Sequence, residues 1–597
     1  MSEKTVPDVK FMLANRSGAL AFFSPIPQSR YEGFFVRRNG KLIKTIESLK
    51  LDVPVTGVVN ELWRVIQTRD KLTEYFFLPL NEEALIYELS ERKEIELCVD
   101  IKTAEDNRIW GRQYDSSPED GALVIRFRKE LDPRDDNSVH ATEFEGYLAI
   151  AGDNLESLPL HHWEEHQYAW DAARHSPPQA RWVFKPAKIR STGFAIAYDD
   201  NKQTAITRAK NAWENREHLK KEREAHAGKL VAPVPKHAPP TVSLAYQCAK
   251  NALDSLILDE HCLTAGMPWF YQCWTRDQLI SINALARIGH LDICRKIFTR
   301  LIDQIQPDGL LPNIEQHGTL PAADATGWLF FRLHEWLTPL LRNGLLDKYI
   351  SRRERDHMIT ALSTTLDTLW RTRVTDNVMH VGPKESWMDT EWGTDSRQGA
   401  LIEINALLLS LFRALRQLTN QHDPREPAVR KAVIKHFWTG HYLSDTADSQ
   451  TIRPNAFIAA YIHPSLLSKQ QWTSCFEHLL PRLWLSWGGL ASIDKKSELY
   501  TDTYTGEDNK SYHRGDSWYW INNLAATVMH RTDPEKFKKH IDKILDASTT
   551  EILYKGATGH HAELSSAKQL EGNGCLSQAW SAAMYIELVE EVYGKPR

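Results

Sequence analysis

The segment GMPWFYQCWTRDQ, residues 266–278, sets Trp269, Phe270, Tyr271 and Trp274 beside an adjacent Arg276–Asp277 pair. Aromatic rings offer wide, rigid faces. Arginine offers a planar fork of donors that stays charged, and aspartate only accepts. Side by side they can hold two neighbouring hydroxyls, one as acceptor and one as donor, while a ring stacks on the C–H face of a sugar. An Arg–Asp pair is also an ordinary feature of helix starts. The flanking rings give this one its chemical reading.

Two later segments repeat the combination, and a third is polar. GPKESWMDTEWG, residues 382–393, places Glu385, Asp389 and Glu391 among Trp387 and Trp392. A carboxyl against indole rings loses solvation, which raises its pKa and lets it serve as a general acid. Asp389, directly after Trp387 and Met388, is the best placed. YTGEDNKSYHRGDSWYW, residues 504–520, joins Tyr512, His513, Asp516 and Trp518. GHHAELSSAKQLEGNGC, residues 559–575, is polar and carries Glu563 and Glu571, either of which could activate water from the opposite face. Asp324, in PAADATGWLF, opens a helical run, where a cap and a binding group look alike. Two carboxyls on distant loops with aromatic walls point to glycoside hydrolysis. With inversion they stand about 6.5–9.5 Å apart, leaving space for water. There is no H-E-x-x-H, G-x-S-x-G, P-loop or G-x-G-x-x-G pattern, so neither metal nor cofactor is expected.

The elements that must position these groups change character near mid-chain. Residues 1–202 read as short apolar or alternating strands, with Asn39–Gly40 as a hairpin turn, and predict an antiparallel β-sandwich. Residues 203–240 read as a linker: a charged helix expected to lie in solvent, then VAPVPKHAPP, whose prolines stiffen the chain. Residues 241–597 are helical. LDICRKIFTRLIDQI puts Cys294, Ile297, Phe298, Leu301, Ile302 and Ile305 on one face. DATGWLFFRLHEWL and ALIEINALLLSLFRAL are apolar nearly all round, as inner helices must be. About a dozen helical segments suit an (α/α)6 barrel. An α-solenoid is the rival, but no fixed-period repeat is visible.

Composition agrees with a globular protein of 597 residues, 42% hydrophobic and 25% charged. A net charge of −5 gives no basic footprint for nucleic acid, and no apolar run is long enough to span a bilayer. The first residues lack the pattern of a secretory signal. The seven Cys have no CxxC pair and predict neither a disulfide framework nor a zinc site, which suits a cytoplasmic setting. Twenty Trp is a high count; most fill core, but the number raises the carbohydrate reading.

The segments PWFYQCWTRDQ, DGLLPN, DATGW, ESWMD, EINAL, IRPN, SYHRGDSWYW and NGCLSQAWS, in that order, resemble the amylo-α-1,6-glucosidase domain of glycogen-debranching enzymes, and more distantly glucoamylases. The resemblance covers residues of about 240–597. FMLANRSGALAFFSPIPQSRYEGFFV is similar to the β-sandwich preceding this barrel in bacterial and archaeal members. The resemblance implies an exo-acting, inverting enzyme that removes glucose from α-1,6 branch stubs of an α-glucan. It implies Asp389 as general acid and Glu563 as general base, with Glu571 as the alternative. It gives Arg276, Asp277, Trp269, Trp387 and Trp518 to the glucose subsite, supported by Asp324, Glu403, Arg453, Tyr512 and His513. Two departures stand out. Tyr519 occupies a position where the family has proline, with an effect expected at the mouth of the site, and the chain has no room for a transferase barrel. The competing readings are another exo-α-glucosidase, of glucoamylase or trehalase type, a helical protein that binds polysaccharide without cleaving it, and a helical scaffold with no affinity for sugar.

Overall fold

The structure is a computed structural model and describes residues 9–135, 143–315 and 321–594. Its first part is a large antiparallel sheet of thirteen strands, with Ala84–Thr103 and Ala180–Asp199, 20 residues each, side by side at its centre. The hairpin at Asn39–Gly40 forms as the sequence predicts. Arg38 pairs with Lys41, and the two turn residues take φ of 50° and 76°, the positive values that a two-residue turn of this hand requires.

The sandwich expectation needs one correction. The strands form a single hydrogen-bonded network, not two separate sheets. That network folds over itself. Edge strand Arg112–Glu119 is bonded along its length only to Ala122–Lys129, yet Tyr114 Oη accepts from Ile101 N at 3.0 Å and Arg112 Nη1 donates to the Trp182 carbonyl at 2.8 Å. The fold closes on an aromatic core in which Tyr114 stacks on Phe184 at 4.8 Å. Each large apolar side chain buried this way contributes about 1.5–3 kcal/mol.

A second correction concerns the charged segment expected to lie in solvent. It forms helices Lys202–Glu214 and Arg216–Val231, and the first packs on the sheet. Asn201 caps it by accepting from Thr204 N, and Ala205, Ile206, Ala209, Ala212 and Trp213 are buried. The stripe is made mostly of alanine, so its hydrophobic signal is weak. Alanine faces it from the sheet as well, at Ala84, Ala122, Ala149, Ala151, Ala195 and Ala197, and small residues on both sides let helix and sheet approach closely.

In the second part, six helices pack each on the next and the last on the first: Thr275–Arg287, Ala323–Arg342, Ile402–Thr419, Asn455–Ile462, Tyr519–Thr532 and Ala579–Tyr593. Helix Asn455–Ile462 is buried on every residue, and the apolar runs expected to be internal lie in this ring. Between ring helices along the chain come helices that pack outside them, among them Leu291–Asp303. That helix buries Cys294, Ile297, Phe298, Leu301 and Ile302, the face predicted from their spacing; Ile305 falls just beyond its end. Met12, Leu20, Phe22 and Phe35 of the sheet share a continuous core with the helices. No helix among the described residues is long and apolar enough to cross a membrane. Cys262 and Cys273 form one disulfide, which the cysteine spacing did not predict: the Ile257–Leu258 and Cys262–Leu263 hairpin and the return of the chain bring the two Cα atoms within 6.4 Å.

Candidate active site

The ring helices all begin at one end, and the aromatic–acidic segments lie there as the connections leading into them. Helix Thr275–Arg287 brings Arg276 and Asp277 in its first turn. Neighbouring residues on a helix diverge, so within the protein the two have different hydrogen-bond partners, while both line the same cavity. Arg276 Nε donates to Asp324 Oδ2 at 2.6 Å and its Nη1 to Asp389 Oδ2 at 3.2 Å, whereas Asp277 Oδ1 accepts from Gln578 Nε2 at 2.8 Å. Burial pushes the Asp277 carboxyl up to about 7 against the pull of Arg276.

Asp389 and Glu563 line one cavity of about 350 Å³, together with Trp269, Arg276, Asp277, Trp387, Tyr512 and Trp518. Trp387 is locked by its Nε1 donating to Asn455 Oδ1 at 2.8 Å and by edge-on contacts with Trp518, Trp520 and His513. Short strands Ser517–Trp518 and Leu564–Ser565 pair and carry Glu563 into the lining. There Glu563 Oε1 accepts from Tyr512 Oη at 2.5 Å and Oε2 from Cys575 N at 2.9 Å. Gly574 permits this approach: its φ is 65°, and a Cβ there would meet Glu563 Oε2 at 2.3 Å.

The electrostatics overturn one expectation. Burial does act to raise Asp389, but His513, whose Nε2 lies 3.6 Å away, and Arg276 outweigh it and hold the carboxyl below its usual range. Glu563 moves the other way. Burial pushes it up to about 7 despite its two hydrogen bonds, with the charge of Asp389 adding to the rise. The two carboxyls are thus shifted in opposite directions, Glu563 upward and Asp389 downward. The indoles do not by themselves set the state of Asp389, because a guanidinium shares its wall.

Four residues given to the substrate site do not reach the cavity and stand behind its wall. Asp324 backs Arg276. His513 is buried, stacked on Trp518 at 5.0 Å, and lowered to about 4 by burial against the pull of Asp389. Arg453 ties two loops together through the His513 carbonyl at 2.7 Å and Asp395 at 3.2 Å. Glu403 joins Arg397 at 2.7 Å in a buried cluster with Asp445. The alternative base, Glu571, is outside the lining and accepts from Asn573 Nδ2 at 2.8 Å. Tyr519 lies buried with its hydroxyl on the Glu571 carbonyl, so it does not shape the mouth.

The lining also contains groups not singled out from the sequence as substrate contacts: Trp274, Tyr504, Glu507, Gln578, Trp580 and Arg174. The first five sit inside or beside the segments already marked by their aromatic content. Arg174 belongs to the sheet half of the chain, and no local pattern connects it to the rest. Among the described residues no three His, Cys, Asp or Glu side chains are grouped as a metal ion would require. A larger hollow, of about 800 Å³, opens at the other end of the ring and is lined by Arg287, Arg342, Arg413 and Arg531 with Glu335; it has no carboxyl pair.

A family model described as amylo-alpha-1,6-glucosidase matches residues 250–587, more than half of the chain and all of the loops just described except the turn at Arg174. The chain belongs to the amylo-alpha-1,6-glucosidase family. Among solved structures, a bacterial glucoamylase complexed with acarbose aligns with this family member over 99% of its chain and 95% of the glucoamylase, at a TM-score of 0.60 and 11% identity. The similarity thus extends through the sheet as well as the helices and establishes a glucoamylase-like fold. A mannosylglycerate hydrolase from Thermus thermophilus covers 57% of this chain and 99% of its own, at a TM-score of 0.44 and 15% identity. No curated protein sequence matches.

Proposed function

We propose that this chain is an exo-acting, inverting glycoside hydrolase that removes single glucose units from α-1,6 branch stubs of an α-glucan. On this reading residues 241–597 form an (α/α)6 catalytic barrel and residues 1–202 a sheet domain, with 203–240 between them. One observation carries the proposal: Asp389 and Glu563, from loops far apart in sequence, meet in a single hollow walled by Trp269, Trp387 and Trp518. Family membership supports the reaction class. A terminal glucose fits such a hollow between indole faces, with Arg276 and Asp277 at its hydroxyls.

Two allocations of the acid and base roles are distinguishable. In the first, which the family resemblance implies, Asp389 protonates the departing oxygen and Glu563 takes a proton from the attacking water. Tyr512 and the Cys575 N–H orient the Glu563 carboxylate for that task. The second exchanges the roles and is supported by the electrostatics of the two carboxyls, in which Glu563 is pushed up to about 7 and Asp389 is held low.

The test compares a branched α-1,6 oligosaccharide with α-glucosyl fluoride, whose leaving group needs no proton. Loss of the general acid harms only the first substrate, and loss of the base harms both, each by about 10²–10⁴-fold. The first allocation expects Asp389→Asn to spare the fluoride and Glu563→Gln to lose both activities; the second expects the reverse. Inversion predicts β-glucose as the first product, read by NMR. If the protein retains glycogen but releases no glucose, and neither substitution changes anything, the chain is a polysaccharide-binding protein and the proposal is lost.

A further inference from the structure

The sheet half of the chain supplies one wall of the cavity through a single turn. Arg174 follows the short helix Ala169–Ala173 and is buried, with 3% of its surface exposed. Its guanidinium lies over the ring of Trp269, 4.1 Å from the centroid, while Trp170 and Tyr31 pack on the same indole at 5.7 and 5.5 Å. Its Nη2 donates to Ser176 Oγ at 2.9 Å and to Glu507 Oε1 at 3.1 Å. The backbone is joined at the same point. Glu507 N donates to the Arg174 carbonyl at 3.0 Å, and Gly506, at φ 68°, comes so close that a Cβ would sit 1.9 Å from that oxygen. Arg174 therefore fixes both the Trp269 ring and the loop that carries Tyr504, Glu507 and Asn509 into the cavity.

Glu563 and Arg276 are 2% exposed, the Asp389 side chain is 26% exposed and the Glu507 side chain 45%. A chain that enters with its terminal glucose at the carboxyls leaves its next unit toward Glu507, whose carboxylate holds the buried Arg174 guanidinium. We infer that Arg174 and Glu507, held on Trp269, form the subsite for the sugar on the leaving side of the bond, so that the sheet half selects what the enzyme will release glucose from. The pair offers a charged donor fork and a carboxylate acceptor together, the chemistry that grips adjacent hydroxyls of a carbohydrate leaving group. The inference rests on the hydrolase reading above.

The experiment measures kcat and KM of the full chain, with Arg174→Met, Arg174→Lys and Glu507→Gln, on an α-1,6-branched oligosaccharide and on α-glucosyl fluoride. The fluoride places no sugar on the leaving side. In Arg174→Met and Glu507→Gln the ratio of kcat/KM for the oligosaccharide to that for the fluoride is expected to fall about tenfold or more, the loss of one hydrogen bond to a charged group, mainly through KM. Arg174→Lys, which keeps the charge, is expected to recover part of the ratio. Thermal unfolding checks that each variant is folded, and if Arg174→Met is not, Glu507→Gln, on an exposed side chain, decides. An unchanged ratio in the folded variants overturns the inference. A wild-type chain that hydrolyses neither substrate overturns the hydrolase reading itself, and the two failures are separate.

Discussion

On the proposed mechanism Asp389 and Glu563 together set the pH dependence, whichever residue donates. The reactive form has one proton shared between two carboxyls. With Glu563 at about 7, raising the pH through that value removes the last proton, so kcat/KM is expected to fall on the alkaline side near pH 7. With Asp389 held below its usual range, a second proton arrives only in strong acid, so the acidic limb lies below the ordinary aspartate value of 3.8. Both allocations give this same bell and differ only in its height. A kcat/KM profile with no decline around pH 7 counts against Glu563 as a member of the pair. At this scale the sequence marked the segments that bring Asp389 and Glu563 to one cavity, left Glu563 and Glu571 as alternatives from the residues alone, and misled about the direction in which Asp389 is shifted. Indole contact is visible in SWMD, but the guanidinium of Arg276, 113 positions earlier, is not a neighbour that any local pattern reveals.

Elements decide how finely those groups are placed. The connection between strand Leu564–Ser565 and helix Ala579–Tyr593 passes over Glu563 at Gly574, where the left-handed backbone and the 2.3 Å approach both exclude a side chain. Gly574→Ala is expected to displace the Glu563 carboxyl from Cys575 N and to reduce glucose release by about 10²-fold or more, on the scale of losing a general base or acid. It should still fold, which circular dichroism and thermal melting check; wild-type turnover in that variant removes the carboxylate's fixed position from the mechanism. Ring helices were legible because they are apolar nearly all round, and Leu291–Asp303 because its apolar face repeats at helical spacing. Helix Lys202–Glu214 was misjudged for a physical reason: alanine contributes little to hydrophobic contrast, yet an alanine face meeting an alanine-lined sheet buries as completely as a leucine face does.

For the molecule as a whole, the sheet and the helices are one packed body. Met12, Leu20, Phe22 and Phe35 continue the helical core, Asn60 Nδ2 donates to the Thr558 carbonyl at 2.8 Å, and buried His560 lies between Ser577 Oγ at 2.8 Å and the Met12 carbonyl at 3.0 Å. Residues 241–597 expressed alone are expected to aggregate, since they would expose this apolar contact and orphan His560. Soluble yield and size-exclusion chromatography measure it; a monodisperse, active fragment would show that the contact is dispensable. The division into a strand-rich and a helix-rich part was readable from periodicity. That the first part completes the cavity was not, because a turn around Arg174 carries no pattern of its own and acquires its meaning only against Trp269 and Glu507.

The common direction of the ring helices also gives the molecule an axial polarity. Each helix carries a macrodipole equivalent to roughly +0.5 charge at its start and −0.5 at its end. Asp277, Asp324 and Glu403 occupy first turns, and Arg287, Arg342 and Arg531 occupy last turns. Backbone amides thus offset the crowding of buried carboxyls at one end, and carbonyl ends attract the guanidinium groups at the other. The same acids grafted into the arginine-lined hollow would face the negative pole of the scaffold, so the direction of the backbone favours one end of such a ring for clustered carboxyls before any side chain is chosen.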